Sequence, residues 1–155
     1  MRLVAIESPL RGNVRLNTAY AKLCVLDSIK RGEAPYASHL FYAQRGLLSD
    51  LVSAERDRGI EAGLAWGSRA DLVAVYVDLG ISEGMRRGIQ RAKHRHVAVV
   101  ERRLVERWRD LICPSCVEPR VSSASPCCNP RCLGSSSSGC FHCHHPKYFT
   151  GAKDA

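Results

Sequence analysis

The sequence predicts an α/β domain: a doubly wound parallel sheet of four to five strands with helices on both faces. Three observations carry this. Short apolar runs alternate along the chain with segments of helical period, the order expected of a parallel sheet joined by right-handed crossovers. The best run, from Asp71 to Asp78, is almost continuously apolar, as a strand covered on both faces must be. Polar and glycine residues gather just after the strands, where such sheets hold their ligands. With 155 residues there is room for one compact domain and a small appendage.

The elements follow in order. Leu3 to Ile6 is brief, partly β-branched and stopped at Ser8-Pro9, so it reads as a buried strand. A loop at Arg11-Gly12-Asn13 leads to a helix whose inward residues start at Leu16 and include Ala19, Tyr20, Leu23 and Cys24, with Arg31-Gly32 as its stop. Residues 35–40 read as a second strand or its exit, and 41–52 as a long loop containing a helical turn. A second helix is expected from about Ser53 to Trp66-Gly67, turning Ile60, Gly63, Leu64 and Ala65 or Trp66 inward. After the main strand, Leu79-Gly80-Ile81 makes a turn and Ser82 caps a helix through Met85, Ile89 and Ala92. Val97 to Val100 supplies another strand. In a Rossmann-like or flavodoxin-like sheet of this order, segments 8–13, 39–45 and 78–83 emerge at the same end.

Composition narrows the class. Apolar residues make up 45% and charged residues 25% of the chain, values ordinary for a soluble globular protein. No apolar run approaches the roughly 18 residues of a membrane helix, and the start carries no signal-peptide pattern. A cytoplasmic protein with no membrane partner is therefore expected. The net charge of +8 favours an anionic partner without identifying one. Arg86, Arg87, Arg91, Lys93 and Arg95, continued by Arg102, Arg103, Arg107 and Arg109, form a basic run. A solvated helix face fits it better than a nucleic-acid groove, because no aromatic residue is interleaved before Trp108 and Glu101 and Glu106 dilute it.

Several residues are candidates for a site. The turn Ser8-Pro9-Leu10-Arg11-Gly12 either holds an anionic or sugar-bearing ligand through backbone N–H groups and Arg11, or is an ordinary βα turn. It matches neither GxGxxG nor GxxxxGK[ST], so no organic cofactor is expected and triphosphatase chemistry loses support. His39 follows a strand end and suits either a ligand hydroxyl or a structural contact. Glu61 lies beside the apolar stripe of its helix, either aimed into a pocket for nucleophilic or general-base work or facing solvent. Asp78 closes the main strand and is well placed for substrate hydroxyls. Ser82 binds or, more simply, caps.

The opening VAIESPLRGNVRLNTAYA, then APYASHLFYAQRGLLSD, then ERDRGIEAGLAWGSRADLVAVYVDLGISEGMRRGIQRA fall in that order within the first hundred or so residues, about two thirds of the chain. Together they resemble the nucleoside 2-deoxyribosyltransferase-like superfamily, in particular its small phage and actinobacterial branch. The resemblance implies a domain acting on a nucleoside or nucleotide through a carboxylate that attacks the anomeric carbon. A glycosyl-enzyme intermediate is then captured by another base or by water. It also implies that the turn from Ser8 to Gly12 lies against the substrate, that Asp78 approaches the sugar, and that the protein self-associates. One departure stands out. The glutamate of the superfamily's SxGMxxE pattern is replaced by Gly88 in Ser82-Glu83-Gly84-Met85-Arg86-Arg87-Gly88. Either Glu61 or Glu83 takes over its role, or the domain is a binding module, for a nucleotide or for nucleic acid, without this chemistry.

From residue 111 to 155 the composition changes to cysteine, serine and proline, so the expected division is 1–110 and 111–155. Seven of the eight cysteines lie in this tail. Cys113 and Cys116, with Cys140 and Cys143, form two CxxC pairs suited to a four-thiolate structural zinc site. The competing reading is a disordered segment with adventitious thiols.

Overall fold

The computed structural model describes residues 1–49, 51–104, 106, 108–112 and 117. Cys113, Cys116, Cys140 and Cys143, and with them the expected zinc site, lie outside the described residues. The chain divides into two compact units, Met1–Glu106 and Arg107–Ala155. In the second, Trp108–Leu111 forms a 3₁₀ helix, and the Arg109 guanidinium lies 4.7 Å from the centre of the Trp108 ring.

The first unit is the α/β domain. Its strands are β1 (Leu3–Glu7), β2 (Ala34–Tyr36), β3 (Leu72–Tyr76) and β4 (Ala98–Arg102), and its helices α1 (Val14–Lys30), α2 (Ser38–Tyr42), α3 (Ser53–Gly67) and α4 (Glu83–His94). The strands form one all-parallel sheet in the order β2-β1-β3-β4. Strand order therefore reverses between β1 and β3, the point at which sheets of this kind open a crevice at their carboxyl ends.

Alternation along the strands decides what each face meets. Every residue of β3 is buried, which is why its sequence is unbroken by polar residues. Ala5, Val73 and Val75 point to the face covered by α4, where Met85 and Ala92 complete a core cluster. The opposite face is covered by α1, whose Tyr20 and Cys24 are fully buried. There the Tyr76 hydroxyl donates to Asp27 of α1 at 2.7 Å. Arg102, at the end of β4, makes a two-pronged pair with Glu33 at 2.7 Å for both bonds. Ser28 donates to the same carboxylate at 2.6 Å. These partners hold the Glu33 carboxyl down to about 2, the Arg102 guanidinium contributing most.

Two expectations are corrected. Residues 35–40 are not one strand: β2 ends at Tyr36 and Ser38 already opens α2. The short helix packs on α3, where Gly63 lets Ser38 approach so closely that an added Cβ would lie 2.5 Å from its Oγ. In α3 the inward stripe runs through Ile60, Gly63 and Leu64, whereas Ala65 and Trp66 are exposed. Trp66 instead lies over the outside of the domain, donating to the Tyr42 hydroxyl at 3.1 Å.

A switch-point pocket with an enclosed carboxyl group

The turn after β1 is built by its own residues. Asn13 caps α1 by accepting from the Leu16 amide at 3.1 Å. Buried Asn17 donates to the carbonyls of Leu10 and Arg11 at 3.0 and 2.7 Å, which fixes the path of the chain beside the crevice. Gly12 has φ of +91°, a conformation that costs a side-chain-bearing residue and suits glycine.

On the α3–α4 side of the sheet, at the carboxyl ends of the strands, lies a cavity of about 170 Å³. The β1 exit contributes Glu7, Ser8 and Arg11, α2 contributes His39, α3 contributes Ile60 and Leu64, and the start of α4 contributes Ser82, Glu83 and Met85. Of the residues singled out in the sequence, Ser8, Arg11, His39, Ser82 and Glu83 thus meet at one pocket.

Ser8 and His39 are in contact, Oγ to Nε2 at 2.9 Å. Burial without a compensating charge lowers the His39 imidazole to about 4, so at neutral pH it is uncharged and able to accept or donate one hydrogen bond. Ser82 caps α4 by accepting from the Met85 amide at 3.3 Å. Its capping role is therefore filled even as it lines the pocket.

The remaining candidates lie elsewhere. Glu61 is exposed and faces α4, where Arg87 donates to it at 3.2 Å; it does not line the cavity. Asp78 turns to the α1 side, accepting from the Tyr20 hydroxyl at 2.6 Å and the Leu104 amide at 3.2 Å. It braces the sheet to α1 and to the chain beyond β4, away from the pocket. Gly12 shapes the turn but does not line the cavity.

The residue that sequence reading missed is Glu7. It ends β1 on the α4 face, in register with Val75, and its carboxyl group enters the pocket beside α4. Among the described residues no ion pair or hydrogen bond contributes to its proton affinity. Desolvation alone pushes its carboxyl up to about 8, the expected response of an acid enclosed without a partner. The signal was in the sequence: Glu7 is the one charge closing the run LVAIE, at a strand's carboxyl end and on the parity of Ala5. Glu55 also lines the pocket, and accepts from the Ser49 amide at 2.6 Å, which ties the loop after α2 to α3.

Gly88 explains how Glu7 fits. This buried residue of α4 faces the Glu7 side chain, and a Cβ added to it would overlap Oε1 and lie 2.6 Å from Cδ. The carboxyl group of Glu7 thus occupies the space that a side chain at 88 would take.

Fold and site together define an α/β domain with a pocket at its topological switch point. Residues 2–102 match the family described as Domain of unknown function (DUF7768), and the chain belongs to that family. No curated protein matches it. Among the described residues no helix is long and apolar enough to cross a membrane.

Proposed function

We propose that this domain binds a nucleoside or nucleotide in the switch-point pocket and cleaves its N-glycosidic bond, passing the sugar to water or to an acceptor base. The observation that carries the reading is the unpartnered carboxyl group of Glu7, enclosed at the strand ends a residue away from the Ser8–His39 pair. An acid tuned toward neutrality in a cleft is the equipment that departure of a poor leaving group needs. The resemblance of the first two thirds of the sequence to the small phage and actinobacterial branch of the nucleoside 2-deoxyribosyltransferase-like superfamily suggests the substrate class. A cavity of about 170 Å³ is comparable with the roughly 150 Å³ that accepts one benzene ring. One ring of the ligand would then be enclosed, with the rest in the open mouth near Arg11 and the first turn of α4, which suit hydroxyl or phosphate oxygens.

Gly88, standing where the superfamily pattern has its nucleophilic glutamate, favours a second reading: a ligand-binding module without turnover. Chromatography of free base released from a panel of nucleosides and 5′-monophosphates, with and without an acceptor base, separates the two. Base release or exchange supports the glycosidic reading. Ligand or salt-sensitive nucleic-acid binding by folded protein, with no release across the panel, supports the module.

A further inference from the structure

Two residues that the resemblance does not pair, Glu7 and Gly88, share one volume. The backbone of α4 holds Gly88 buried against β1, and the three atoms nearest the space above its α-carbon all belong to the Glu7 carboxyl. We infer that Glu7 is the proton donor to the departing base, and that position 88 is glycine so that this carboxyl can sit there. The assignment of chemistry rests on the glycosidic reading above, whereas the shared volume rests on geometry alone.

The surroundings fit a donor better than a nucleophile. From the β1 exit the charged or titratable neighbour at the pocket is Arg11, from α2 His39 and Tyr42, from α3 Glu55 and Arg56, and from α4 Glu83. His39 is held by Ser8, Glu55 by the Ser49 amide and Glu83 by Arg86, and neither an ion pair nor a hydrogen bond from any of these groups contributes to the Glu7 proton affinity. Burial alone acts on it, and the carboxyl keeps its proton up to about pH 8. A protonated carboxyl group cannot attack an anomeric carbon, but it can give its proton to a ring nitrogen.

The step balances on this one group. The Glu7 proton passes to the base nitrogen as the C1′–N bond breaks, and that bond's electron pair leaves with the base. A water oxygen bonds to C1′ and yields a proton to the Glu7 carboxylate, restoring the acid. With an acceptor base in place of water, its N–H proton takes the same route and the outcome is transfer.

The test follows one carboxyl group and one product in the full-length protein. Glutamate carboxyls are labelled with ¹³C, the Glu7 signal is assigned by its loss in Glu7→Gln, and its titration is followed in wild type and Gly88→Ala. Base release from the nucleoside panel is measured on the same samples, with circular dichroism to confirm folding. The expected wild-type midpoint is near pH 8. Gly88→Ala should evict the flexible carboxyl end into pocket water and bring the midpoint back toward 4.5. Turnover should drop about 10²- to 10⁴-fold in folded Glu7→Gln, the usual worth of a general acid, with a comparable loss in Gly88→Ala. In wild type, kcat/KM should fall as pH rises through the Glu7 midpoint. An unchanged midpoint in Gly88→Ala overturns the shared volume. Full turnover in Glu7→Gln overturns the donor role. Absence of base release by wild type removes the glycosidic reading and the donor role with it, while the titration still decides the shared volume.

Discussion

Replacing Glu7 by glutamine should change how stability depends on pH, and the size of the change follows from the site. Glutamine keeps the shape and hydrogen-bonding capacity of the protonated acid but cannot ionise. In the wild-type chain the unfolded state releases the Glu7 proton above about 4.5, whereas the folded state keeps it until about 8. Between those values the native state binds the extra proton, so stability falls as pH rises. Each pH unit costs about 1.4 kcal/mol, giving a ceiling of about 5 kcal/mol over the whole interval. His39 works in the opposite sense. Its folded value of about 4 against an ordinary 6.5 makes stability rise with pH across that lower range. The influence of His39 fades above pH 6.5 as its unfolded imidazole loses its proton, and both chains share what is left of it, so the difference between them from pH 6.5 to 8 belongs to Glu7. There Glu7 alone should remove at most about 2 kcal/mol, less to the extent that pocket water screens it. Urea unfolding of wild type and Glu7→Gln at half-unit intervals from pH 6.5 to 9 reads this directly. The wild-type curve should decline and then level off, and the variant should lack the decline. Parallel profiles would show that Glu7 ionises freely in the folded state, and the reasoning about its enclosure would fail.

Other consequences of the structure are equally accessible. In a Glu7→Ala background, Gly88→Ala should stabilise by up to about 1 kcal/mol through helix propensity, whereas the same change beside native Glu7 should do so less or not at all; a double-mutant cycle by denaturation gives the coupling. Arg102→Ala should destabilise the domain by about 3–5 kcal/mol, because it strands the buried Glu33 carboxylate, which has only 10% side-chain exposure. The Glu33 pair also has an acid limit. Its contribution should be complete above about 4.5 and disappear as pH falls through about 2, visible as an acid transition that Glu33→Gln lacks. Gly63→Ala should lower stability by about 1–2 kcal/mol, overpacking against Ser38 outweighing the gain in helix propensity, and Ser38→Gly in the same chain should restore it.

The fold was legible because its signals are local and redundant. The run LVAVY is apolar without interruption since both faces of β3 are covered, and Ser82 announces α4 by a cap that forms as expected. Strand ends were enough to bring Ser8, Arg11, His39 and Ser82 to one place. Direction was harder to read than position. Asp78 has the parity of Ala74 and Tyr76, and so turns to α1, although its place at a strand end made it attractive. Glu61 is one residue from Ile60 and therefore about 100° around the helix, enough to face Arg87 and not the cavity. Glu7 reads locally as the last residue of a strand, and nothing near it in the sequence shows that a glycine on α4, 81 positions later, leaves a hollow for it. Packing between elements distant in sequence decides such matters, as it also decides that Ser38 opens a helix against Gly63.

That hollow has a consequence for descent. A glutamate reaching in from position 88 and one reaching in from position 7 are rivals for the same space, so a lineage cannot simply add the second before discarding the first. A chain with both would crowd two carboxyl groups into one volume. Relatives with a residue larger than glycine aligned with 88 should therefore carry something smaller than glutamate aligned with 7, or hold that glutamate elsewhere.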